Sequence, residues 1–138
     1  MRFPLASDRE SSQRIRVRYA ETDTMGVVYY ANYLVWFEVG RTEWLRVTGA
    51  TYRQLEAEGT SLPVIAAHCE YHRPLRYDDE ADVRARATLL SPTRLRFDYQ
   101  VVPVGADTPS TTGWTEHCGL GTDGRPRRLP PVVKRLFA

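Results

Sequence analysis

Asp23 stands in the segment Tyr19-Ala20-Glu21-Thr22-Asp23-Thr24-Met25-Gly26-Val27-Val28-Tyr29-Tyr30-Ala31-Asn32-Tyr33, just ahead of a stretch with helical spacing. A helix N-terminus presents N–H groups with no partner and a partial positive charge. Such donors suit a carbonyl oxygen on which charge develops. A carboxylate a few residues earlier could attack the carbonyl carbon or activate a water, and the residues do not choose between the two. Gly26 lets the chain pass close to a bound group where a Cβ would obstruct it. Asn32 can cap the helix, its side chain accepting from a free backbone N–H of the first turn.

A second constellation is His68, Glu70 and His72, which fall on one face of a strand by period-two counting. Two histidines and a carboxylate suit a divalent metal. His117 has no metal motif of its own, and all three histidines are read as satisfied surface or interface side chains with no metal bound. Cys69 and Cys118, far apart in strand-like patterns, read as small hydrophobes rather than a bridge.

The elements that must position these groups follow from periodicity. Arg14 to Tyr19 alternates polar and apolar as a half-buried strand does, whereas residues 1–13 lack periodicity and are expected to be a flexible segment. From Tyr33 to Val47, the positions Tyr33, Trp36, Phe37, Gly40, Trp44 and Val47 share one helical face, widened by Leu34 and Leu45. Gly49 should stop that helix, and Ala50–Glu58 reads as a short second one ended by Gly59. Strand patterns follow at Leu62–Arg73, Val83–Leu89, Leu95–Val101 and Trp114–Thr122, then an Asp123-Gly124 turn and an amphipathic piece, Val132–Phe137. Short connections make these strands antiparallel, so the fold class is α+β, a sheet wrapped round one helix in a single domain spanning 14–138.

Composition removes several classes. With 138 residues there is room for one core, and a net charge of +2 does not argue for nucleic acid. Hydrophobic residues at 42% and charged ones at 26% are ordinary globular values. No apolar run approaches the ~20 residues of a membrane span, and Met1–Gln13 lacks a signal peptide's apolar region, so a cytoplasmic protein is expected. Of 19 basic residues only Lys134 is lysine. Arginine's planar fork recognises phosphate well, but the count does not say which arginines would do so.

The Asp23 segment closely resembles the signature of the 4-hydroxybenzoyl-CoA thioesterase-like branch of the hot-dog superfamily, with Asp23, Gly26, Val27, Val28, Tyr30, Asn32, Tyr33, Trp36, Phe37, Glu38 and Arg41 in the matching places. Two further stretches, Glu70–Asp79 and Gly124–Pro130, resemble later parts of the family in the right order. The resemblance implies a curved antiparallel sheet around a central helix and a homodimer or homotetramer joined through edge strands. It implies hydrolysis of acyl-CoA thioesters without metal or organic cofactor, at a site on the dimer interface. It maps the essential carboxylate onto Asp23 and the N–H that polarises the thioester carbonyl onto Tyr30, with Gly26 shaping the loop. Val27, Asn32, Tyr33 and Glu38 become substrate-side candidates, and Arg73 and Arg94 candidates for the CoA phosphates. Tyr30 is often His in one branch and Gly40 more usually Ala, which leaves the substrate branch open. Two rivals on the same fold are an enoyl-thioester hydratase, which uses a histidine and a carboxylate near the helix, and a non-catalytic acyl-CoA-binding module. The histidines lie far downstream, and a binding module has no need of Asp23.

Overall fold

The computed structural model describes residues 2–137. Five strands form one antiparallel sheet in the order β1-β4-β5-β6-β3, where β1 is Leu5–Arg16, β3 Val64–Tyr71, β4 Glu80–Ser91, β5 Arg94–Pro103 and β6 Thr111–Cys118. Two further short strands, β2 (Thr60–Ser61) and β7 (Leu120–Gly121), pair with each other. Helix α1 (Asn32–Thr48) lies across the sheet, with α2 (Tyr52–Ala57) and α3 (Pro131–Arg135) at its margins.

The apolar stripe of α1 does what its spacing requires. Tyr33, Trp36, Phe37, Trp44 and Leu45 are buried against the inward faces of β4 and β5, which contribute Val83, Ala85, Ala87, Phe97, Tyr99 and Val101. Phe37 stacks on Tyr99 with ring centroids 4.3 Å apart. At Gly40 helix and sheet approach closely, since a Cβ there would stand 2.9 Å from Val83 Cγ1. Val47 and Leu34, expected on the buried face, are 51% and 41% exposed, so the stripe is narrower at both ends than the spacing suggests. Helix α2 begins with a capping box, in which Thr51 Oγ1 accepts from the Gln54 N–H and the Gln54 side chain accepts from the Thr51 N–H.

Strand β1 corrects one expectation. It starts at Leu5 rather than Arg14, and its first half pairs with β4 across a register shift between Ala6 and Glu10. The inward positions there are Ser7 and Ser11, both buried, so the segment shows no apolar alternation. Its place is held instead by long-range bonds, including Trp44 Nε1 donating to the Arg9 carbonyl at 3.1 Å. At the opposite edge of the sheet β3 has an open side, and its residues are exposed or half-buried throughout.

Candidate active site

Between β1 and α1 the chain folds back on itself. A short 3-10 turn, Tyr19–Glu21, leads to an isolated antiparallel bridge between Thr22 and Val28, and the turn between them carries Asp23 at its base. The Asp23 N–H donates to the Val27 carbonyl (2.9 Å), and the Gly26 N–H donates to the Asp23 carbonyl (3.0 Å). Gly26 has φ +77°, a left-handed conformation that a side chain resists. One carboxylate oxygen, Asp23 Oδ1, accepts from the Met25 N–H at 2.8 Å. The other, Oδ2, has no protein partner among the described residues.

The approach to α1 supplies donors. Tyr29 gives its N–H to the Glu21 carbonyl at 2.8 Å. The next two N–H groups, of Tyr30 and Ala31, donate to no protein acceptor among the described residues, as expected of groups ahead of a helix. The Tyr30 peptide is held from its other side, where the Tyr71 hydroxyl, at the end of β3, donates to the Tyr30 carbonyl at 3.1 Å. Burial, together with the Cys69 thiol, pushes the Tyr71 phenol well above its usual range, so it remains a donor.

An open cleft of about 280 Å³ joins these groups, lined by Asp23, Met25, Val27, Val28, Tyr30, Tyr33, Tyr71, His72, Arg73 and Pro74. Three tyrosines shape it, with Tyr71 edge-on to Tyr30 and Tyr33 at 6.4 and 5.5 Å. Of the sequence candidates, Asp23, Val27, Tyr30, Tyr33 and Arg73 thus meet in one place, with Gly26 in the turn beside them. Arg73 is anchored there by Thr108, whose carbonyl and hydroxyl accept from the guanidinium at 2.6 and 3.1 Å.

Others fall elsewhere. Arg94 opens β5 opposite Cys118, and Glu38 faces a groove beside Gln13, Arg14 and Ile15, so neither reaches the cleft of its own chain. Arg41, one turn after Glu38 on α1, donates from Nε to the Tyr52 hydroxyl at 3.2 Å. Asn32 is the first helical residue rather than the cap: its Nδ2 donates to the Glu21 carbonyl at 2.9 Å, since the preceding turn brings that carbonyl within reach.

The histidine set also divides. His68 meets Glu70 at 3.1 Å while His72 meets Thr112 Oγ1 at 2.9 Å, and among the described residues no His, Cys, Asp and Glu side chains gather as three around a metal position. His72 nonetheless lines the cleft, so its distance from Asp23 in sequence does not carry into space. His117, expected as a satisfied side chain at a surface or interface, is instead fully buried, with its partners inside the chain. Both cysteines are free and half-buried.

Sequence reading missed Glu21 and Tyr71. Glu21 is only 7% exposed, and its carboxylate accepts from the Arg18 N–H at 2.8 Å and from Trp36 Nε1 at 3.0 Å. The available signal was Trp36, a tryptophan on a buried helix face whose N–H needs an acceptor. Tyr71 carried no signal beyond its position at a strand end.

Residues 17–137 match the model of the thioesterase-like superfamily. The acyl-CoA thioester hydrolase YbgC of Escherichia coli O157:H7 is 36% identical over 123 residues, 89% of this chain and 92% of that one. YneP of Bacillus subtilis is 49% identical over 73 residues, a match spanning 53% of each chain. The crystal structure of a DHNA-CoA thioesterase from Staphylococcus aureus superimposes with a TM-score of 0.87 at 31% identity, covering 93% of this chain and 88% of that one. The sheet wrapped round α1 is the hot-dog fold, and the chain belongs to the thioesterase-like superfamily.

Proposed function

We propose that the protein hydrolyses an acyl- or aroyl-CoA thioester to the free acid and CoA. The observation that carries this reading is that a carboxylate oxygen, Asp23 Oδ2, and a peptide N–H, that of Tyr30, each without a partner among the described residues, share one cleft. The thioester carbonyl oxygen accepts from the Tyr30 N–H as negative charge builds on it. Asp23 either attacks the carbonyl carbon, expelling the CoA thiolate and leaving an anhydride for water to cleave, or takes a proton from a water that attacks directly. The chemistry asks for no metal or organic cofactor, coenzyme A being part of the substrate.

The open edge of β3, with Val64 45%, Ile65 44% and Tyr71 49% exposed, supports a homo-oligomer in which β3 pairs with its copy and the partner completes the acyl and CoA sites. That Arg73 lines the same cleft as Asp23 supports a contact of its guanidinium with the substrate, while Arg94 and Glu38 would act only across an interface. No described helix is long and apolar enough to cross a membrane, and the two free thiols suit a reducing cytoplasm. The modest net charge of +2 offers no footprint for nucleic acid.

Thiol release from short, long and aromatic acyl-CoAs tests the reading, with Asp23→Asn run beside the parent protein. Turnover that falls at least ~10²-fold in the variant supports it, and turnover that survives overturns the role of Asp23. One observation favours a second reading, an enoyl-thioester hydratase: His72 lies on the wall of the cleft that holds Asp23. Formation of 3-hydroxyacyl-CoA from an enoyl-CoA, lost in His72→Ala, would establish it.

A further inference from the structure

Glu21 is a buried carboxylate that touches neither the cleft nor the reacting atoms, and taking a charge out of water is costly unless it is fully paired. The Arg18 guanidinium stands 3.4 Å from one carboxylate oxygen, and neutral donors complete the pairing. Asn32 and Trp36, four residues apart and so neighbours on one face of α1, both donate to it. Asn32 Nδ2 holds the Glu21 main-chain carbonyl (2.9 Å), and Trp36 Nε1 holds the carboxylate (3.0 Å). The Arg18 N–H closes the other carboxylate oxygen at 2.8 Å, and the Tyr29 N–H shares the carbonyl at 2.8 Å. Residue 21 therefore sits between the turn that carries Asp23 and the peptide that presents the Tyr30 N–H, bonded to both approaches.

We propose that Glu21 and Asn32 are positioning residues, a clasp through which α1 fixes the separation of the Asp23 carboxylate from the Tyr30 N–H. Attack on a carbonyl needs both groups placed at once, and a displacement of ~1 Å can cost ~10²-fold in rate. The Tyr29 bond also consumes the N–H just before Tyr30, so the next N–H is the first left for substrate. This inference rests on the thioesterase reading above.

Three variants test it, with Asp23→Asn as the control for that reading. Glu21→Gln replaces one accepting oxygen by an NH2 group facing a donor, either the Arg18 N–H or the Trp36 indole. Its kcat is expected to fall ~10- to 100-fold with KM within about twofold, the loss that misplacement alone produces. Asn32→Asp turns a donor into an acceptor against the Glu21 carbonyl, yet adds a negative charge at a helix N-terminus, which favours folding. A fall in kcat without a fall in Tm is expected there. In Glu21→Gln/Trp36→Phe the indole donor is gone and the Gln oxygen is free for Arg18, so kcat should rise several-fold above that of Glu21→Gln alone. Parental kcat in Glu21→Gln and Asn32→Asp, or losses that simply multiply in the double variant, would overturn the clasp. If Asp23→Asn keeps full activity, the role assigned to Asp23 has failed, and if the parent protein turns over no acyl-CoA, the thioesterase reading has failed, whatever the clasp variants do.

Discussion

Among single residues, His117 has the most constrained chemistry. It is fully buried, with Nδ1 2.9 Å from the Leu62 carbonyl and Nε2 2.8 Å from Thr115 Oγ1. A carbonyl can only accept, so Nδ1 carries the proton and Nε2 accepts from the Thr115 hydroxyl. Thr115 Oγ1 in turn accepts from the Tyr99 hydroxyl at 2.6 Å. Burial lowers the His117 pKa from 6.5 to about 4. Between those values the unfolded chain takes up a proton that the folded chain refuses. The associated stability is whole above pH 6.5 and is lost as pH falls towards 4, about 3 kcal/mol in all. Chemical denaturation across that window should therefore show a shallower pH dependence in His117→Gln than in the parent. Parallel curves would mean that His117 does not carry it.

At the scale of elements, α1 sits as close to the sheet as Gly40 allows. Ala at that position would gain about 1 kcal/mol of helix propensity, but its Cβ, 2.9 Å from Val83 Cγ1, would overpack the core at a cost of ~1–3 kcal/mol. Gly40→Ala should lower Tm, and Val83→Ala in the same chain should recover part of the loss by making room. Additive losses would show that the contact does not limit the approach. The same helix was legible in sequence because burial dictates its period: Trp36, Phe37 and Trp44 announce the face that packs. The first half of β1 was not, since its buried positions are Ser7 and Ser11, and its place depends on pairing with β4. At the cleft and its flanking turn, Asp23, Gly26 and Tyr30 were legible because they are neighbours in sequence, whereas Tyr71 arrives through the fold alone. Asn32 drew attention for a capping role it does not play, since a carbonyl eleven residues back recruits its side chain.

For the whole molecule, the homo-oligomer proposed above would assemble through the free edge of β3. Ile65 is 44% exposed in the single chain, so a lysine there should leave the fold intact while placing a charge on the pairing edge. Ile65→Lys is expected to sediment as a smaller species than the parent and to lose turnover with it. A variant that stays associated, or a monomer that retains full turnover, would argue against pairing through β3.

The Tyr71 hydroxyl bond to the Tyr30 carbonyl joins that edge to the peptide that would hold the substrate's oxygen. In the proposed homo-oligomer, a bond of this kind would make assembly part of the chemistry. If β3 pairs with a copy as proposed, that pairing would further hold the strand end that carries Tyr71, so turnover per chain should drop on dilution even at saturating substrate. Newly made monomers would then stay idle until enough copies accumulate to pair.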